Sequence, residues 1–258
     1  MTDHWDFYKL RVDDQPASIF VDLGLEANAP LQALPYMAYV RLRMNRPSAN
    51  GLSSQEEFET LKRIERALEA ELSGNDARYV GRNTSSGCRD FYFYLARPQL
   101  WDQNVAGVLS SFSDYEFQTG TRDDPAWEVY SNFLLPGPVG RQIIRNRRVC
   151  EALESRGDPL VKPREIDHWS YFPDQACAEA YLADAIALGF QLRCRSEDGD
   201  GPRSHGVQVW RVDTPSFAEI DDVNLPLLEV AQCHRGAYDG WECSVESIAL
   251  HEAPQATG

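Results

Sequence analysis

One order of elements, met twice, constrains this chain more than any other feature. From Tyr36 the residues pattern as strand, helix, strand, glycine-rich turn, strand, helix, strand, and from Ile166 the same order returns. In the first pass "YMAYVRLRM" (36–44) alternates as a strand does. "SANGLSSQEEFETLKRIERALEAELSG" puts Phe58, Leu61, Ile64, Leu68 and Leu72 at helical spacing, with Ser53 or Ser54 as N-cap and Gly74 past the end. "ARYVGRN" and "RDFYFYL" read as strands, "PQLWDQNVAGVLSSF" as a helix and "YEFQTG" as a closing strand. In the second pass the slots are filled by "IDHWSYF", "DQACAEAYLADAIALG" (Asp174 as cap, Gly189 just beyond), "FQLRCRS", "GVQVWRV", "SFAEIDDVNLPLLEVAQCHRG" and "YDGWECSV". The last helix has to tolerate or kink at Pro226. A βαββαβ order folds naturally as a four-stranded antiparallel sheet with both helices on one face, the ferredoxin-like arrangement.

The same comparison decides how to read "VGRNTSSGCRDFYFY" (80–94). Its glycines and hydroxyls suggest a phosphate loop, and Cys88 a nucleophile. A phosphate loop runs from a strand into a helix N-terminus, where backbone N–H groups meet the anion. Here a strand follows, so the stretch reads as a hairpin turn. Two further strands, "WDFYKLRV" (5–12) and "SIFVDLGL" (18–25), precede the first pass, and two helices, "PAWEVYSNFLL" and "PVGRQIIRNRRVCEALESRG", follow it. The fold class is therefore α+β in two domains, each built on a ferredoxin-like antiparallel sheet with helices on one face, the N-terminal one with extra strands and helices. "GDPLVKPRE" has the glycine and prolines of a linker. The expected division is 1–157, a linker at 158–163, and 164–250, with "HEAPQATG" as a frayed tail.

The chain has 258 residues and a formal net charge of −15. The charge is uneven. Residues 1–160 hold 18 basic and 23 acidic residues, and 161–258 hold 7 and 17. Such a C-terminal half repels phosphate backbones and anionic membranes, which argues against direct nucleic-acid or membrane binding and suits a basic protein partner. No apolar run approaches a membrane span. The N-terminus lacks the basic start and apolar run of a secretory signal, so the expected compartment is the cytoplasm, in a bacterial setting. Six cysteines at 88, 150, 177, 194, 233 and 243 form no close ligand pair and read as free thiols.

"REIDHWSYF", "AIALGF" and "AYDGWECSV" resemble the bacterial family of regulator of ribonuclease E activity B (RraB), over roughly 164–250. Tyr238–Trp241, "YDGW", is the most specific part. "WDFYKLRVDDQPASIFVDLGL", "LPYMAYVRLRM", "GLSSQEEFETL" and "VGRNTSSGCRDFYFY" resemble the bacterial domain of unknown function, number 695 of that series, over about 150 residues. The resemblance implies a non-catalytic regulator that binds a protein. In the best-known branch of the family that protein is an endoribonuclease. The extra domain departs from that shorter, single-domain inhibitor.

Few residues carry chemistry. Cys88 has two arginines near in sequence but no histidine to serve as a base. Asp167, His168 and His205 invite a metal, yet neighbours on a strand face opposite ways. The acidic face formed by Glu219, Asp221, Asp222 and Glu229 on the last helix reads as a solvated or partner-binding surface. The basic cluster "RNRRVC", preceded by Arg141, reads as a solvated helix face. Tyr238 and Trp241, flanked by Asp239 and Glu242, suit either packing or partner anchoring, and Gly240 between them suits a bulge or a close backbone approach. The expected partner-binding residues are Tyr238, Asp239, Trp241, Glu242, Glu219, Asp221 and Asp222, with no catalytic residue, metal or cofactor. The partner expected is a protein, with a ribonuclease bearing basic segments as the leading candidate. The rivals are a small-molecule enzyme or binding domain using an inter-domain cleft, and a structural assembly subunit. The sequence leaves the oligomeric state open.

Overall fold

The computed structural model describes residues 4–12, 14–197 and 201–246. The expected tail (251–258), the end of the expected second domain (247–250) and part of the second hairpin connection (198–200) lie outside them. The chain divides into two compact units, 1–140 and 141–258.

Unit 1 contains β1 (Trp5–Val12), β2 (Gln15–Asp22), β3 (Tyr36–Arg43), α1 (Phe58–Leu72), β4 (Ala77–Ser85), β5 (Cys88–Leu95), α2 (Trp101–Leu109) and β6 (Phe117–Asp123). These strands form one antiparallel sheet in the order β1-β2-β4-β5-β3-β6. α1 forms because Leu61, Ile64 and Leu68 recur on one face and all are buried. Its start differs from the expected Ser53 or Ser54 cap. Ser54 accepts from the Glu57 N–H (3.3 Å) in the turn before the helix, while Glu57 itself stands at the cap and accepts from the N–H groups of Asn45 and Arg46. The helix face of the sheet contributes Ala38, Val40, Leu42, Phe91 and Phe93 to a core closed by α1 and α2. The other face is covered by the segment after β6, which forms a π-helix at Val129–Leu134 rather than an ordinary helix. There Trp127 stacks on Tyr94 at 3.9 Å, and Tyr94 donates to Asp124 at 2.6 Å.

The glycine-rich stretch is a hairpin. Thr84 and Ser85 pair with Arg89 and Cys88, and Ser86 and Gly87 between them both have positive φ (50° and 77°), as a two-residue turn of the primed type requires.

The helix α3 (Pro138–Glu154) spans the division between the units. Unit 2 continues with β7 (Arg164–Phe172), α4 (Gln175–Ala187), β8 (Gln191–Glu197), β9 (His205–Asp213), α5 (Ile220–Cys233) and β10 (Ala237–Cys243). Its four strands are antiparallel in the order β10-β7-β9-β8. Asp174 caps α4 by accepting from the Cys177 N–H at 2.8 Å. Pro226 lies inside α5.

The division at 140/141 differs from the expected linker at 158–163. Cys150 and Leu153 of α3 and Leu160 of the supposed linker are all buried in the core of unit 2. Asp158 is buried too. It holds the equally buried Arg164 at 2.6 Å and accepts from the N–H groups of Leu160 and Glu246. Glycine and two prolines mimic a linker, but buried ionic and apolar groups pin this segment to β7.

Candidate functional site

β7 sorts its residues by strict alternation. Ile166, His168, Ser170 and Phe172 are buried on the helix side, whereas Glu165, Asp167, Trp169 and Tyr171 are exposed or half-buried on the opposite face. The neighbouring strand β9 sets Val212, Trp210, Gln208 and Gly206 directly across from those four. β10 sets Glu242 across from Asp167. The core of unit 2, with α4 and α5, is drawn from the other side of the sheet, so this open face presents an aromatic patch with carboxylates along one margin.

Arg193 shows what that face attracts. Its guanidinium lies over the Trp210 ring at 4.6 Å, donates to Asp167 at 2.9 Å and reaches Glu165 at 2.6 Å. Cation–π contact and charge-assisted hydrogen bonds act together there. That guanidinium is bonded to Glu165 and Asp167, and with Glu242 across from Asp167 the margin holds three carboxylates to one cation. Like charges directly opposite on a sheet destabilise it, and Arg193 at 2.9 Å from Asp167 offsets part of the repulsion between Asp167 and Glu242.

The residues expected from the sequence divide differently. Tyr238 and Trp241 are 4% and 7% exposed and belong to the core, so neither offers a surface anchor. Tyr238 Oη lies 2.8 Å from His168 Nδ1, and Trp241 Nε1 donates to Asn146 at 3.0 Å. The cause is a β-bulge. The register shifts between Tyr238 and Gly240, so Tyr238 and Trp241, three apart, face the same side. Asp239 and Glu242 are exposed. Glu219 and Asp222 are exposed and Asp221 is half-buried, accepting from Asn146 at 2.6 Å. α5 packs on the helix side, so these three share no surface with Glu242. The alternation in "REIDHWSYF" that isolates Glu165, Asp167, Trp169 and Tyr171 was visible in the sequence. Arg193 over Trp210 depends on a second bulge, between Leu192 and Cys194, and left no signal.

The metal reading meets a geometric obstacle. His168 is fully buried against Phe190 and bonded to Tyr238, while Asp167 turns to the opposite face. Among the described residues no three His, Cys, Asp or Glu side chains are placed to hold a metal ion. Burial, and then the charge of Arg211, lowers the His168 pKa to about 3, so the ring is neutral. In the basic cluster Arg147 pairs with Glu151 one helical turn on (3.6 Å). No helix among the described residues is long and apolar enough to cross a membrane.

Residues 3–135, half of the chain, match the model for the family of unknown function DUF695. The chain belongs to that family. Residues 143–243 match a second family model, regulator of ribonuclease activity B, beginning within α3. As a DUF695 member with an RraB region, the chain joins the two families foreseen in its sequence. Both are families of regulators or of unknown function, which is compatible with a role other than catalysis. No curated protein matches significantly. A crystal structure of an unknown protein from Galdieria sulphuraria aligns over 80% of this chain and 96% of its own, with 13% identity and a TM-score of 0.22, a likeness too slight to support any conclusion.

Proposed function

We propose that this DUF695 member is a non-catalytic regulatory protein that binds another protein, and that its open sheet face in unit 2 receives an arginine-bearing basic segment. The observation behind this is Arg193 clasped by Trp210, Asp167 and Glu165, with Trp169, Tyr171 and Glu242 beside it. The face already recognises one guanidinium from its own chain, and it has carboxylate and aromatic surface for more. The strand orders of both sheets support a ferredoxin-like arrangement in each unit, extended by β1 and β2 in the first. The match to regulator of ribonuclease activity B makes an endoribonuclease, or an RNA-decay complex containing one, the leading partner, and with it a cytoplasmic setting. Basic, RNA-binding segments of such an enzyme complement the acidity of residues 161–258.

A fluorescein-labelled arginine-rich peptide, titrated against the full chain and followed by anisotropy, tests the docking mode. Binding is expected at low salt and is expected to weaken at least tenfold between about 50 and 500 mM salt. Glu165→Lys/Glu242→Lys, which reverses two exposed charges, should weaken it by a similar factor. Equal binding by wild type and variant would overturn this assignment of the surface. A second arm adds the chain to an endoribonuclease with basic segments, where slower cleavage is expected and unchanged cleavage counts against that partner.

A further inference from the structure

The N-terminal hairpin extends the first sheet beyond the four strands that both units share. β1 and β2 extend the sheet beyond β4, past the area that α1 covers. The helix-side residues of that extension, among them Phe7, Lys9, Ser18 and Phe20, therefore floor a cavity of about 520 Å³ walled by α1 and the 52–53 loop. Its size suits a small organic ligand.

The charge of this cavity is opposite to that of the whole chain. Lys9, Lys62, Arg66, Arg82 and Arg89 line it against only Glu65 and Glu69. Arg89 is the deepest of them, with a side chain 1% exposed. Its Nε donates to Thr84 Oγ1 at 3.0 Å, but its buried Nη1 has no hydrogen-bond partner. The nearest carboxylate, Glu65, lies 3.9 Å from that nitrogen and is already engaged by Tyr79 (2.8 Å) and by Arg82 (2.8 Å). The buried Arg89 and the half-buried Arg82 thus share one carboxylate. A buried charge that is only partly compensated is costly to keep, and an unmet buried donor adds to that cost. The strain shows in Arg89 itself, whose pKa burial and Arg82 lower to about 10, still leaving it charged at neutral pH. Apolar surface stands beside the cations. Phe7 is 40% exposed, and Phe58 lies under Lys62 Nζ at 4.7 Å.

We infer that this cavity binds a small organic anion, a carboxylate or phosphate monoester carrying an aromatic or apolar group. The anionic head meets Arg89 Nη1 and the outer lysines, and the apolar body lies against Phe7 and Phe58. This site is confined to unit 1 and is independent of the protein-docking face proposed for unit 2.

Isothermal titration of the full chain with phenyl phosphate, benzoate, inorganic phosphate and phenol tests it. Phenyl phosphate or benzoate should bind at one site with a Kd below about 1 mM, inorganic phosphate more weakly, and phenol not measurably. The two aromatic probes distinguish a phosphate from a carboxylate head. Lys9→Ala/Lys62→Ala, at the rim, should weaken binding about tenfold without affecting the fold. Arg89→Met should abolish it. If Arg89→Met does not fold, the rim variant and amide-shift mapping around Thr84 and Arg89 decide. No binding of either aromatic anion up to about 10 mM, or binding that the rim variant leaves unchanged, would overturn the inference.

Discussion

His168 couples the stability of unit 2 to pH. Its folded pKa of about 3 lies below the ordinary histidine value, chiefly because it is buried. The unfolded chain therefore binds a proton between those two values that the folded chain does not. Stability from this group is complete above about pH 6.5 and falls as the pH drops toward 3. The loss should reach on the order of 2 kcal/mol by pH 5. His168→Gln should flatten the urea-denaturation profile between pH 6.5 and 4.5, a window above the ordinary carboxylate range. An unchanged profile would mean the ring is solvated. Asp158 is the second such residue. Burial works to raise its pKa, but the N–H groups of Glu246 and Leu160, and then Arg164, outweigh it and hold the pKa low. Asp158→Ala strands the buried Arg164 charge and should cost about 3–5 kcal/mol in urea denaturation, whereas a true linker residue would cost almost nothing. The sequence showed neither role. "GDPLVKPRE" looks solvated because its composition is that of a loop, and only the fold brings Arg164 onto Asp158. Arg89 was closer to legible. It alternates with Phe91 and Phe93, so it had to face the core, but the missing partner at Nη1 depends on α1.

At the scale of elements the two sheets share a device. Each has a strand with a β-bulge at a glycine, Gly81 in β4 and Gly240 in β10. Both have φ values that an L-residue resists, 156° and 150°. Their surroundings differ. A Cβ on Gly81 would lie 2.6 Å from the Phe20 carbonyl oxygen, against the β2 backbone, while one on Gly240 meets nothing within 4 Å. Gly240→Ala should therefore cost only the backbone strain, about 1–2 kcal/mol, and Gly81→Ala several kcal/mol with loss of the β2–β4 pairing, as chemical denaturation and amide exchange would show. Equal costs would mean that the β2 backbone yields. Most elements were legible here. α1 and α4, the hairpin at Ser86–Gly87 and the strand slots of both sheets follow from periodicity and turn chemistry. Bulges are harder to place. Gly240 offered one as one of two readings, and only the register shift in β10 decides that Trp241 joins Tyr238 in the core rather than anchoring a partner.

The whole molecule is best understood through its charge. Residues 161–258 carry most of the excess negative charge, and in unit 2 part of it lines the one sheet face that α4 and α5 leave uncovered. The sequence disclosed the imbalance and the family resemblance. It did not disclose the whole surface, because Trp210 and Glu242 join Glu165, Asp167 and Trp169 only when β9 and β10 pair with β7. The central claim is that this face captures a basic protein segment. Affinity capture from native lysate, with wild type and Glu165→Lys/Glu242→Lys side by side at low and high salt and mass-spectrometric identification, tests it most directly. The account predicts that wild type retains an endoribonuclease or another RNA-decay component with basic segments at low salt, that high salt releases it, and that the variant never retains it. Retention by both proteins alike, or by neither at any salt, would contradict it.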